Sequence, residues 1–275
     1  MSNDGLGDRC KDLEQREAGR AAMRGLPLLA RLDGRAFHTF TRGLTRPYDP
    51  AMSRCMIETA RTLVEETQAR VAYTQSDEIT LAWYEPADAA TTYLFDGRWQ
   101  KLGSVLAGLA SARFNQLVAE HLPAKAALLP HFDCRLWQVP TLADALDVFV
   151  WRESDAVKNS ISMAASALYS DRELHGQDSA AKQELLFQRG VNWNDYPAFF
   201  KRGTYLARRT VQREISEDER LRIPEPHRPA PATRVTRSQV VELDLPPIRR
   251  IVNATEVLFG GAEPTLHAEP GVSAP

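Results

Sequence analysis

Between Leu26 and Pro140 the sequence sets out six elements in an order that few chain topologies satisfy. Leu26–Gly34 (LPLLARLDG) predicts a strand closed by an Asp-Gly turn. Asp49-Pro50 then opens a helix, with the Asp as N-cap and the Pro at the first helical position. Met52, Cys55, Met56, Ala60, Leu63 and Val64 recur at helical spacing and give that helix one apolar face. Val71–Thr74 and Ile79–Tyr84 predict a hairpin turning at Gln75-Ser76-Asp77-Glu78. A second helix is expected from about Arg98 to Glu120, with Leu102, Val105, Leu106, Leu109 and Leu117 inward, and Phe132–Val139 is a further strand stopped by Pro140. Strand, helix, strand, strand, helix, strand is the split β-α-β, ferredoxin-like arrangement of the α+β class: an antiparallel sheet with both helices on one face.

The rest of the chain is expected to elaborate that core. Residues 1–24 form a charged arm, helical or loose. Residues 25–140 are the core domain, and 141–222 are a helical and mixed region that completes it. Residues 223–275 are a Pro-rich tail, disordered over its last dozen residues. Thr141 and Asp144 suit a capping box, so helix is expected from there to about Tyr169. Val240–Leu245 is expected to add an edge strand.

Composition excludes several classes. At 275 residues the chain can bury a sizeable core. No apolar stretch approaches the roughly 18 residues of a membrane span, and the polar N-terminus has no apolar region of a secretory signal. Three scattered cysteines exclude a disulfide framework or a Cys-x-x-Cys zinc site and suggest a reducing, cytoplasmic setting. A net charge of −2 argues against nonspecific coating of nucleic acid but allows a local basic groove.

The predicted topology makes the first and third strands antiparallel neighbours. It therefore brings Asp33, at the end of one, beside Asp77 and Glu78, at the start of the other. Two readings are open. Asp-Gly and Ser-Asp are common turn dipeptides; two converging carboxylates without His or Cys also make a hard-oxygen site suited to Mg²⁺ and phosphate. Gly34 leaves its backbone bare for a metal or a phosphate. Arg35 follows, and His38 is the histidine nearest the turn. Arg98 and Lys101 share a face at a helix start, where phosphate is favoured. The run 201–213 (KRGTYLARRTVQR) carries five basic residues, including Lys201, Arg202, Arg208 and Arg209. It is either a solvated surface or a track for a phosphate backbone. Phe259-Gly260-Gly261-Ala262-Glu263 lies in the Pro-rich stretch without flanking strands and is set aside as a decoy.

RLDGRAFHTF (31–40) followed by YTQSDEITLAW (73–83) resembles the tRNA-His guanylyltransferase family of 3′–5′ nucleotide-adding polymerases. RWQKLGSVLAGLASARFN (98–115), FDCRLWQVP (132–140) and KQELLFQRGVNWNDYPAFFKRGTYLARR (182–209) are similar to further segments of it, the last to its bacterial members. The resemblance implies a polymerase-type palm. It implies two Mg²⁺ ions held by Asp33, the Gly34 carbonyl and Asp77, with Glu78 as a third acidic residue. It also implies a nucleoside triphosphate, ATP or GTP, against Asp33, Gly34, Arg35, Ala36, Phe37, His38, Ser76 and Asp77, with Arg98 and Lys101 on phosphates. It implies tRNA, at its 5′ end, as the partner, and a homo-oligomer such as a tetramer as the assembly. The sequence departs from the eukaryotic His-Ile-Asn-Asn-Leu-Tyr-Asn block, since Asp155-Ala-Val-Lys-Asn-Ser-Ile-Ser-Met163 stands there with Asp155, Asn159 and Ile161 retained. That favours the branch repairing 5′-truncated tRNA by templated addition over strict addition of guanosine to tRNA-His. A nucleotide cyclase of related fold is expected to carry a Gly-Gly-acid-acid-Phe turn at 75–78. A silent tRNA-binding protein is expected to have lost Asp33 or Asp77.

Overall fold

The architecture follows from where the apolar stripes can be buried. The computed structural model describes residues 5–89 and 92–267. In chain order it holds helix α1 (Gly5–Arg16), strand β1 (Leu28–Gly34), the one-turn helix α2 (Phe37–Phe40) and helix α3 (Pro50–Thr67). Strands β2 (Val71–Gln75) and β3 (Glu78–Trp83), helix α4 (Trp99–His121) and strand β4 (Phe132–Gln138) follow. Beyond them lie α5 (Leu142–Ser166), α6 (Asp171–Leu174), α7 (Ser179–Gln188), α8 (Ala198–Arg202), β5 (Thr204–Glu214), α9 (Glu217–Arg222) and β6 (Arg234–Leu243).

The strands form one six-stranded sheet in the order β4-β1-β3-β2-β5-β6, every pairing antiparallel. Its first four strands are the expected ferredoxin-like core. Asp49 caps α3 by accepting from the Ala51 and Met52 amides at 2.9 and 3.1 Å, and Pro50 starts the helix. The buried stripe of α3 and Leu102, Leu106, Ala110, Phe114, Leu117 and Val118 of α4 pack on the even-numbered face of β1. Val105, expected inward, is 36% exposed, because the stripe of α4 steps by four from Leu102 and leaves it outside. The opposite face of the sheet is covered by α5, whose Phe149 packs with Leu29, Val71, Tyr73 and Tyr205. The expected Thr141–Asp144 capping box begins α5.

Two expectations need correction. The mixed region before 213 ends in a strand: Thr204–Ala207 of β5 pair with β2, and β5 then runs on with β6 as a two-stranded ribbon. Its adjacent Arg208 and Arg209, followed by Arg213, put charge on both faces of the strand and mask the two-residue period. The stretch beyond 223 is likewise part of the fold. The edge strand starts at Arg234, six residues before the expected Val240, and is stopped by Pro246-Pro247. Ile248, Ile251, Ala254, Val257 and Leu258 are then buried in the α5 core, about 1.5–3 kcal/mol for each large side chain. The prolines shape turns around that apolar set. The Gly260-Gly261 turn closes this segment, with Phe259 against Phe149. Of the dozen terminal residues expected to be disordered, 268–275 lie outside the described residues; Leu266 pairs with Ile251.

Candidate functional site

Register builds the site. On the α5 side of the sheet Asp33 stands opposite Glu78 on β3 and Asp133 on β4, giving a row of three carboxylates at the sheet edge. One step inward, Arg31 stands opposite Thr80 and Arg135. The β2–β3 turn supplies Asp77. Ser76 takes a left-handed conformation there (φ 56°), and the Asp77 carbonyl accepts from the Gly34 amide at 3.0 Å. Strand pairing thus joins Asp33-Gly34 to Asp77 across 44 positions of sequence.

The electrostatics suit a cation. Burial pushes the Asp77 carboxyl above the usual carboxylate range, and the charge of Asp33 adds to the rise. Backbone hydrogen bonding and the Ser76 hydroxyl, donating at 3.1 Å, oppose it. A divalent ion between Asp33 and Asp77 relieves both burdens. Among the described residues no three His, Cys, Asp or Glu side chains form a ready-made metal cage. Mg²⁺ needs none, since it is held by one or two carboxylates plus substrate phosphates and water. Asp33, Asp77 and the Gly34 carbonyl therefore fit it. Glu78 is differently placed. Burial raises its carboxyl, while Arg152 and Arg31 pull it down. Arg152 of α5 grips both its oxygens, Nε to Oε1 at 2.6 Å and Nη2 to Oε2 at 3.0 Å, and donates to Asp155 at 3.1 Å.

Gly34 cannot be replaced freely, because a Cβ there would lie 2.3 Å from the Phe37 ring. That ring is buried among Phe40, Phe114 and Phe132 at centroid distances of 5.2–5.4 Å, so Phe37 anchors the turn and offers a ligand only its backbone. Ala36 is left-handed (φ 56°), and Arg35 approaches His131 at 3.4 Å. Beyond the turn a cavity of about 670 Å³ opens between residues 38–53, the 75–76 turn, α5 and α8. His38, Arg42 and Arg46 line one side; Asn159, Ser162 and Met163 line the other. The volume falls within the range of small-molecule sites. Asn159, Ser162 and Met163 are thus the part of the 155–163 stretch that lines the cavity Ser76 also borders.

Other expected residues are not brought to this edge. Arg98 and Lys101 begin α4, Arg98 donating to the Phe95 carbonyl and Lys101 lying 4.7 Å above the Phe95 ring. The part of α4 near the carboxylates is Ser111, whose hydroxyl accepts from the Phe132 amide beside Gly34. Thirteen residues of helix put Arg98 about 20 Å from that end. In the 201–213 run, Lys201 donates to the Asn194 carbonyl and Arg202 to that of Leu245. Arg208 caps the end of α3 through the Val64 and Glu65 carbonyls, both at 3.0 Å, and Arg209 donates to Val257. Sequence reasoning missed Arg31, Asp133, Arg135, Trp151 and Arg152. The two-residue alternation in RLD and DCR carries a signal for the first three. The α5 contacts have none.

Comparison with known proteins bears on the family and the fold. A family model described as tRNAHis guanylyltransferase matches residues 8–140. The tRNA(His) guanylyltransferase of Schizosaccharomyces pombe is 27% identical over 70% of this chain and 77% of its own. A solved bacterial tRNA(His) guanylyltransferase-like protein in complex with ATP is 33% identical, with TM-score 0.69, over 74% of this chain and 87% of that one. A bacterial like-protein in complex with GTP is 29% identical at TM-score 0.69, covering 90% of this chain and 94% of that one. With that identity over most of a solved relative, and the Asp33–Asp77 edge in place, the chain belongs to the tRNA(His) guanylyltransferase family of nucleotidyltransferases.

Proposed function

We propose that this enzyme adds nucleotides in the 3′–5′ direction to the 5′ end of tRNA in a Mg²⁺-dependent reaction, and that its task is templated repair of 5′-truncated tRNA. The observation that carries the reading is the meeting of Asp33, Gly34 and Asp77 at one sheet edge, beside a cavity of about 670 Å³. The metal pair would be held by Asp33, the Gly34 carbonyl and Asp77; bound there, it lowers the pKa of an attacking hydroxyl and neutralises leaving phosphates. The Gly34–His38 turn and Ser76 receive the triphosphate, with Arg35, Arg42 and Arg46 supplying positive charge, and the cavity takes sugar and base. A tRNA 5′-phosphate first attacks the α-phosphate of ATP or GTP and releases pyrophosphate. The 3′-hydroxyl of the incoming nucleotide then displaces the activating nucleotide. No protein nucleophile is required.

Arg98 and Lys101, about 20 and 15 Å along α4 from the carboxylate end, are assigned to phosphates of the polynucleotide and not to the metal-bound triphosphate. Lys201, Arg202, Arg208 and Arg209 have carbonyl partners and contribute to tRNA binding only through their long-range charge. Glu78 supports the site through Arg152. Three free cysteines suit a reducing cytoplasm, and the working form is a homo-oligomer. Among the described residues no helix is long and apolar enough to cross a membrane.

The test is incubation with a tRNA lacking its first nucleotide, labelled nucleoside triphosphates and Mg²⁺. Extension that follows the opposing base in several truncated tRNAs supports repair. Guanosine added to tRNA-His whatever the template base replaces it with the guanylyltransferase reading. Binding without extension leaves a silent tRNA-binding protein.

A further inference from the structure

We infer that Trp151, Arg31 and Arg135 form a platform for the unpaired template strand of the RNA, an inference that rests on the proposed function. Arg31 and Arg135 are directly opposed on neighbouring strands, where like charges repel. Carboxylates at ion-pair range offset part of that repulsion: Arg31 Nε lies 3.8 Å from Glu78, while Arg135 lies 4.0 Å from Asp33 and 3.6 Å from Asp133. Among the described residues neither guanidinium adds a hydrogen bond to these ion pairs; the Arg135 side chain is 55% exposed and Arg31, at 21%, lies deeper, so Arg135 presents the more open of two planar forks suited to phosphate. Trp151 sits beside them, its ring 5.8 Å from the Arg31 guanidinium and 4.5 Å from that of Arg152, and it is 52% exposed.

Arginines next to an open aromatic ring are the means by which proteins hold single-stranded nucleic acid without reading its sequence. The location selects the strand. Arg31 is two residues from Asp33 on the same strand face, about 7 Å away. Templated growth at a 5′ end requires the opposing 3′ strand to run unpaired past the 5′-phosphate. With that phosphate at Asp33, the unpaired nucleotides leave over β1 and β4, where Arg31 and Arg135 meet their phosphates and Trp151 stacks a base.

The experiment compares two 5′-phosphorylated RNA hairpins by fluorescence anisotropy, one blunt and one with a four-nucleotide 3′ overhang. Trp151→Ala is expected to weaken the overhang hairpin by about 10- to 100-fold, the loss of one stacked base. The blunt hairpin and ATP should bind as before, and Trp151→Phe should restore most of the loss. Arg135→Gln, which keeps a polar side chain and removes the charge, should weaken overhang binding and flatten its salt dependence. Equal losses for both hairpins, or no loss in Trp151→Ala, overturn the platform. Wild-type extension of a truncated tRNA is measured in the same preparation. Extension without an overhang effect removes the platform and leaves the function. An overhang effect without extension removes the function and leaves the platform.

Discussion

Asp77 carries the tension of the site. Its carboxyl is raised by burial first and by Asp33 second, so the folded state favours its protonated form. A raised carboxylate contributes stability below its unfolded pKa, near 4, and that contribution is lost as pH rises through the folded value. At pH 8 without metal, Asp77→Asn is therefore expected to melt above wild type while losing nucleotide addition altogether. Adding Mg²⁺ should raise the melting temperature of wild type, and chelation should reverse it; Asp77→Asn should show little of either. An equal Mg²⁺ shift in the variant would remove Asp77 from the metal site. Arg152 stands differently. Its guanidinium is 12% exposed and joins Glu78 to Asp155. Truncation leaves Glu78 largely buried without its partner, and Arg152→Ala should destabilise by about 2–3 kcal/mol in urea titration, at the low end for buried pairs because some solvent reaches it. Retention of full stability would mean the pair is not formed in solution.

At the scale of elements, the basic run 201–213 decides between two physical roles. Arg208 donates to two carbonyls at the end of α3, where a cation also meets the negative end of the helix dipole. Arg208→Ala is expected to destabilise by about 1–2 kcal/mol and to change the salt slope of tRNA binding far less than the loss of a direct phosphate contact would. A slope reduced by about one, with stability intact, would make Arg208 a phosphate contact instead. The same run shows what was legible in the sequence. The core strands and helices were, because their two- and 3.6-residue periods are local properties. Asp33 and Asp77 were legible because one topology places their strand ends together. Strand β5 was not, since its charge read as surface and its partner in the core sheet, β2, pairs Thr74 with Thr204 from far away in sequence. Trp151 and Arg152 were invisible because nothing in an α5 sequence says which edge of the sheet that helix will cross. The prolines of 224–247 concealed a strand and the buried Ile248–Leu258 set behind a composition that usually signals disorder.

For the whole molecule, α5 is the member that joins the carboxylate edge of the sheet to the C-terminal segment, and adjacent residues do both. Arg152 reaches Glu78, while the Glu153 Oε1 accepts from the Ile248 amide at 2.9 Å, at the start of the segment that closes the second core. Glu153 is 5% exposed. Burial raises its carboxyl above the usual range, opposed by the Ile248 hydrogen bond and by Arg202 and Arg249. A glutamate raised on folding stabilises most below its unfolded pKa near 4.5, and loses that contribution as pH climbs through the folded value. Gln keeps the acceptor for Ile248 and removes the buried charge. Glu153→Gln is therefore expected to match wild type near pH 4.5 and to melt higher at pH 8. A gain of ~1 kcal/mol corresponds to about 2–4 °C for a domain of this size. Glu153→Ala discards the acceptor, strands the Ile248 amide and opens a cavity, so it should melt below wild type at both values. Thermal melts of the three proteins across this range check the assignment. If Glu153→Gln loses stability as pH rises, then the charge itself, through Arg202 and Arg249, holds the C-terminal segment in place, and the ordering of the two effects at Glu153 is reversed.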